Sequence, residues 1–204
     1  MARTRSVDYD NIRDDIMAAA AELFARQGYS ATSIGDIARA CDCSKSRLYH
    51  YFESKEAILR DMLTTHVDKL LERCRDVIST EEPKNHFIKI VKLFLKIYAT
   101  SRNQHVVMLT CLDALSPEHR DELVTKQREL IAFIRDTLLQ HRPDMKGNQK
   151  LLRVDTMLFF GMINFTYTWY KAEGAVAPEE LAERAVQLFL EGYTHIPATF
   201  GSTK

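Results

Sequence analysis

The residues from Thr32 to Glu56, TSIGDIARACDCSKSRLYHYFESKE, constrain the fold of this chain more than any other segment. Thr32 and Ser33 are residue types that cap helix starts, and Asp36 falls three positions after Ser33, the spacing of a capping box. Ile34, Ile37, Ala38 and Cys41 then recur at helical spacing, so one face of a short helix packs inward. Cys41, Asp42 and Cys43 form a turn. Ser44 caps a second short helix over Lys45 to Tyr51, in which Leu48 and Phe52 are four residues apart and face the core. Ser54 caps a third helix with Lys55 and Glu56 in its first turn. A helix, a three-residue turn and a second helix of this length must share one small core, which leaves Lys45, Ser46, Arg47, Tyr49 and His50 pointing outward.

Short polar groups at a helix start, followed by cationic and phenolic ones, suit the major groove of DNA. Lys45, Ser46, Tyr49 and His50 are the expected contacts to DNA. Lys55, Thr32 and Ser44 are expected on phosphates, with Ser33 beside them at the helix start. Tyr51 has two readings, packing inward or touching a phosphate. Arg3 and Arg5 also have two, an arm entering the minor groove or a solvated tail. On local physics alone, the segment could also be a plain packing unit.

The runs LFARQGYSATSIGDIA and SKSRLYHYFESKEAIL resemble the N-terminal DNA-binding region of the TetR family of regulators, from about Ile12 to Leu59. The resemblance implies operator binding by a regulator, with the second motif helix as the reading helix. Two positions depart from the family pattern. Asp42 stands where Gly is common, and Asp tolerates the left-handed backbone better than most residues. Cys43 stands where a small apolar residue is usual, a role that a buried thiol can fill.

The rest of the chain reads as helices, with no strand alternation, repeat or low-complexity segment. Expected helices cover Asp10 to Gln27 (stopped by Gly28), Ser54 to Ile78, a segment after Pro83 with Phe87, Val91, Phe94 and Tyr98 as its stripe, Gln104 to Leu112, Pro117 to Gln140, Gln149 to Ala172, and Pro178 to Tyr193. The expected fold is all-α, with about nine helices. Residues 1–57 would form a helix-turn-helix head, and residues 58–204 a helical body for ligand binding and dimerisation. The tail from Pro197 is expected to fray.

LLRVDTMLFFGMINFTYTWYKAEG is apolar over more than one face, so that helix is buried on several sides. In a protomer of this size this points to a second copy of the chain, with Phe160, Tyr167, Tyr170, Val186, Phe189 and Leu190 expected at the interface. The family resemblance implies the same, a four-helix bundle made by the last two helices of each protomer. Paired reading helices would fit a pseudo-palindromic operator. Phe94, Tyr98, Met108, Phe133, Phe159, Ile163 and Trp169 are the candidates to line a pocket for an apolar effector, although aromatic stripes at helical spacing are more often plain core. The segment GMINFTYTWYKAEG is similar to the C-terminal part of TetR-type regulators of fatty-acid, sterol and aromatic-acid degradation. That likeness implies an acyl-CoA thioester as effector. Repression relieved by the ligand is the expected sign.

Composition narrows the remaining classes. The chain carries 28 Lys and Arg against 28 Asp and Glu, and residues 1–57 hold eight against nine, so no basic field drives non-specific binding. No apolar run is long enough to span a membrane, and the N-terminus lacks the apolar stretch of a secretory signal. Four cysteines with neither CxxC nor zinc spacing fit the reducing cytoplasm. No metal or other cofactor is expected. His105, Cys111, Asp113, Glu118 and His119 lie near one another but match no ligand spacing, so no enzyme is expected. An alternative regulator would sense thiol oxidation through Cys41 and Cys43, with only Lys45 nearby to lower their pKa.

Overall fold

The computed structural model describes the backbone of residues 2–193 and the side chains of residues 9–192. The expected fraying of the tail from Pro197 lies outside these residues, as do the side chains of Arg3 and Arg5. Among the described residues there are nine α-helices and no strand. They are α1 (Ala2–Gln27), α2 (Ile34–Ala40), α3 (Lys45–Tyr51), α4 (Lys55–Thr80), α5 (His86–Thr100), α6 (Arg102–Thr110), α7 (Pro117–His141), α8 (Gln149–Asn164) and α9 (Pro178–Tyr193).

Two boundaries differ from expectation, each for a local reason. α1 starts eight residues earlier than Asp10, because nothing from Ala2 to Tyr9 is a Gly or Pro that would stop it. α8 ends at Asn164 rather than near Ala172, and a 3₁₀ turn follows over Phe165–Thr168. Here Thr166 donates its hydroxyl to the Ile163 carbonyl at 2.6 Å, and Thr168 donates to that of Phe165 at 2.8 Å. These side chains compete with the helical ladder, and the β-branched and aromatic run has poor helix propensity.

The chain divides into two compact units, residues 1–68 with 101–125, and residues 69–100 with 126–204. The expected boundary at 57/58 falls inside α4, which belongs to both units, as does α7. In the first unit α1 packs along α6. Its core holds Ile16, Ala20 and Phe24 of α1, Ile37 and Ala38 of α2, Leu48 of α3, Phe52, and Ile58, Leu63 and Val67 of α4. His105 of α6 and His66 of α4 are buried with ring centroids 5.9 Å apart. Burial and the neighbouring His66 hold His105 down to about 3, so its ring is neutral packing at physiological pH.

The second unit is built on α5 against α9. Phe87 and Phe159 lie 4.9 Å apart between ring centroids, Phe159 meets Phe189 edge-on at 4.9 Å, and Phe94 packs on Phe160 at 6.1 Å and Tyr98 at 5.9 Å. Exposed ion pairs, Lys92 with Glu183 and Arg75 with Glu129, each at 2.5 Å, close its surface.

The turn after α2 explains the Asp42 departure. Cys43 N–H donates to the Ala38 carbonyl at 2.9 Å and Asp42 N–H to that of Arg39 at 3.3 Å, a Schellman closure with Asp42 at φ 49°. A Cβ is strained there, so Asp42→Gly should stabilise the fold by about 0.5 kcal/mol, checked by denaturant unfolding. A loss of stability would mean that the Asp side chain contributes more than its backbone strain costs.

Candidate nucleic-acid interface

The caps read from the sequence are in place. Ser33 Oγ accepts Asp36 N–H at 3.1 Å while the Asp36 carboxylate accepts Ser33 N–H at 3.0 Å, a closed capping box. Ser33 also donates its hydroxyl to that carboxylate at 2.6 Å. These hydrogen bonds, with Arg39 nearby, hold Asp36 below the usual carboxylate range. Ser44 Oγ accepts Arg47 N–H at 3.1 Å and starts α3. Only Leu48 of α3 is fully buried.

Apart from the half-buried Tyr51, the remainder of α3 is exposed. Ser44, Ser46, Arg47, Tyr49, His50 and Tyr51 line one shallow surface hollow, and Tyr49 is 53 % exposed. A large half-bare aromatic on a seven-residue helix has no packing role inside the protomer. Lys45 is exposed but lies across α2: a Cβ built on Gly35 would come within 2.8 Å of its Cε. The glycine therefore lets the lysine stem cross the start of α2 and directs its ammonium. Arg47 shares the surface, exposed three residues after the Ser44 cap.

Tyr51 is half-buried and takes part in both packing and the hollow. Its ring lies tilted at 4.6 Å from that of Tyr9 of α1, and His50 stands edge-on to both, at 5.4 Å from Tyr51 and 6.4 Å from Tyr9. Tyr9, which the sequence did not single out, thus holds the His50 ring in an aromatic corner.

Two of the residues expected on phosphates make hydrogen bonds inside the protein. Thr32 is 1 % exposed and donates its hydroxyl to the Gly28 carbonyl at 2.9 Å. Lys55 donates from Nζ to the carbonyls of Tyr29 at 2.8 Å and Thr32 at 2.7 Å, with its ammonium 4.1 Å from the Tyr29 ring centroid. Both residues shape the loop between α1 and α2, where Gly28 stops α1 at φ 86°.

Cys41 is poorly placed for redox chemistry. Cys41 donates its thiol to the Ile37 carbonyl at 2.9 Å, and burial, with Cys43 beside it, pushes its pKa up to about 11. The thiolate is the reactive form and is scarce at neutral pH. Peroxide treatment should leave DNA binding unchanged in a gel-shift assay. A peroxide effect abolished by Cys41→Ser would reverse that conclusion.

The expected dimer residues divide by burial. Phe160 is 7 % exposed against Phe94, Val186 is buried, and Phe189 is half-buried on Phe159, so these three serve the protomer's own core. Leu190 and Tyr167 are half-buried, and Tyr170 donates its hydroxyl to the Val176 carbonyl at 2.9 Å. The bare apolar side chains are others: Val154, Met157, Leu158 and Met162 on α8, Phe165 and Trp169 after it, and Leu188 on α9.

The expected pocket residues divide between the two units. Phe94, Tyr98, Phe159 and Ile163 are buried in the core of the second unit, where Phe133 is half-buried, but Met108 belongs to the first unit. Trp169 is 58 % exposed and lines a surface cavity of about 540 Å³ with Tyr170, Val176 and Leu181.

Comparison with known proteins supplies independent findings. Residues 16–62 match the family described as bacterial regulatory proteins, tetR family, and residues 80–193 match the tetracyclin repressor-like C-terminal domain. The chain is 26 % identical over 191 residues to the HTH-type transcriptional repressor KstR2 of Mycolicibacterium smegmatis, covering 89 % of this chain and 90 % of that one. It is 70 % identical to a TetR-family transcriptional regulator from Bordetella parapertussis, with a TM-score of 0.88 over 93 % of this chain and 99 % of that one. The fold is also that of AibR, crystallised with isovaleryl coenzyme A and operator DNA: 22 % identity, TM-score 0.74, 87 % of this chain and 97 % of that one. No helix among the described residues is long and apolar enough to cross a membrane.

Proposed function

The chain belongs to the TetR family of DNA-binding transcriptional regulators, and on that premise we propose that it is a cytoplasmic repressor that grips a pseudo-palindromic operator as a homodimer and lets go when it binds an acyl-CoA thioester. The observation that carries the DNA part is the exposed row of Ser46, Arg47, Tyr49 and His50 on a doubly capped helix-turn-helix. Arg47 and Lys45 present donors suited to guanine edges or phosphates, and Ser46, Tyr49 and His50 add both donors and acceptors. The first unit lacks a general basic field, so affinity has to come from this local fit.

Dimerisation is supported by the bare apolar stripe on α8 and α9, which a second copy would cover. A two-fold pair presents two α3 helices, and operator half-sites must then match their separation. The effector reading is supported by the aromatic interior of the second unit, where Phe94, Tyr98, Phe133, Phe159 and Ile163 would receive an acyl chain, and by AibR, which holds isovaleryl coenzyme A. An effector that favours one setting of α4, the helix common to both units, would change the separation of the reading helices and lower operator affinity.

Selection of sheared genomic DNA with purified protein at physiological salt tests the first part. Enrichment of a few pseudo-palindromic sites is expected, and no enrichment would sink the repressor reading. Adding short-, medium- and long-chain acyl-CoA to the selected complexes tests the second. Release by none of them, with release by a different class of small molecule, would dispose of the thioester.

A further inference from the structure

Six side chains link the first turns of α4 and α7 to the reading helices, all within the first unit. Glu56 Oε1 accepts the backbone N–H of Ser116, the residue before α7, at 2.8 Å, and lies 3.2 Å from His119 Nδ1. Ser116 Oγ lies 2.8 Å from the same His119 nitrogen. On the other side of the imidazole, Arg60 Nη1 is 3.3 Å from Nε2. Arg60 Nε donates to Asp61 at 3.0 Å, and Asp61 pairs with Arg13 of α1. The Arg13 guanidinium in turn lies 4.8 Å from the centroid of Phe52, the residue that ends α3.

The donor inventory fixes the direction of these bonds. A guanidinium can only donate, so His119 Nε2 accepts from Arg60 and Nδ1 carries the proton. A carboxylate can only accept, so Nδ1–H donates to Glu56, with Ser116 Oγ sharing the proton. The Ser116 N–H and His119 bonds hold Glu56 below the usual carboxylate range, so it stays charged wherever the protein is folded near neutral pH. Lys55, the preceding residue, carries the second arm, to the carbonyls of Tyr29 and Thr32 directly before α2. The first two turns of α4 therefore tie the entrance of α2 and the exit of α3 to the start of α7.

We propose that Glu56 and His119 are positioning residues that set the reading helices against the first turn of α7, which makes that turn the point at which the DNA-binding state is controlled. The proposal rests on the DNA-binding reading above. α7 belongs to both units, so a displacement of its first turn would reach α2 and α3 through Glu56 and its neighbours without any effector touching the helix-turn-helix. None of these residues needs to contact DNA for this role.

Amide hydrogen exchange on the full-length protein, beside affinity for the selected operator fragment, tests it with Glu56→Ala and Glu56→Gln. In Glu56→Ala, amides of residues 33–52 should exchange about tenfold faster, and operator affinity should fall about tenfold, while amides of α5 and α9 keep their protection. Glu56→Gln keeps an acceptor for Ser116 and His119 and should stay within about threefold of wild type in both measurements. Unchanged exchange over 33–52 in Glu56→Ala would overturn the proposal. So would an acceleration spread equally through α5 and α9, which is general destabilisation, or a Gln variant as impaired as Ala. If the wild-type protein selects no DNA, the repressor reading fails, and the exchange pattern alone decides the positioning role.

Discussion

Leu158→Glu is expected to split the proposed homodimer and weaken operator binding by about a hundredfold, while each protomer stays folded. Leu158 is 64 % exposed in the protomer, so a carboxylate there costs nothing in the isolated chain. It lies in the stripe of Val154, Leu158, Met162 and Phe165, which follows helical spacing along α8 and continues past its end. In a two-fold interface the substitution appears twice, and burying an unpaired carboxylate is strongly unfavourable. A hundredfold loss corresponds to about 2.7 kcal/mol. Sedimentation at micromolar concentration and a gel shift on the selected operator check both effects. A variant that remains dimeric and binds tightly would remove α8 from the interface. Phe160→Glu gives the contrast: its ring is buried against Phe94, so the expected result is unfolding rather than dissociation.

Lys55→Met should destabilise the first unit by about 2 kcal/mol and weaken binding to every DNA sequence alike. The methionine keeps the length of the stem but loses two charge-assisted bonds, each of which contributes about 1.5–3 kcal/mol when well formed, and the contact over the Tyr29 ring. The effect is discounted because Lys55 is only half-buried. A phosphate-binding lysine would behave differently. Its loss would leave thermal stability intact and lower the slope of log affinity against log salt by about one. Unfolding curves and a salt titration on the same variant therefore separate the two roles, and intact stability with a reduced slope would return Lys55 to the DNA surface.

Lys55 also marks where legibility from the sequence ended. Caps and turns are local, so the Ser33–Asp36 box, the Ser44 and Ser54 caps and the left-handed Asp42 could be read from spacing and residue type. The fate of a long cation depends on which carbonyls tertiary packing brings to it, and the approach of α4 to the Tyr29–Thr32 loop leaves no periodic trace. The inward turn of the Thr32 hydroxyl to the Gly28 carbonyl leaves no such trace either. On α8 the difficulty was different. Apolar residues occupy nearly all sides of that helix, so no polar face indicated which side meets the protomer core. Phe160 faces inward and Leu158 outward, although both are large and apolar and only two residues apart.

α3 contributes a single fully buried side chain, Leu48, to the fold. Its shape is set from outside by the Ser44 cap, the Phe52 anchor and the Asp42 turn, none of which needs a particular side chain at positions 46, 47 or 49, whereas His50 packs on Tyr9 and Tyr51. Those three positions are therefore nearly decoupled from folding, and under the operator-binding proposal the DNA address could be rewritten there separately from stability. Drift at these sites would then redirect such a repressor to new promoters at little cost in foldedness, and a designer could exchange the same three residues to create orthogonal switches on an unchanged body.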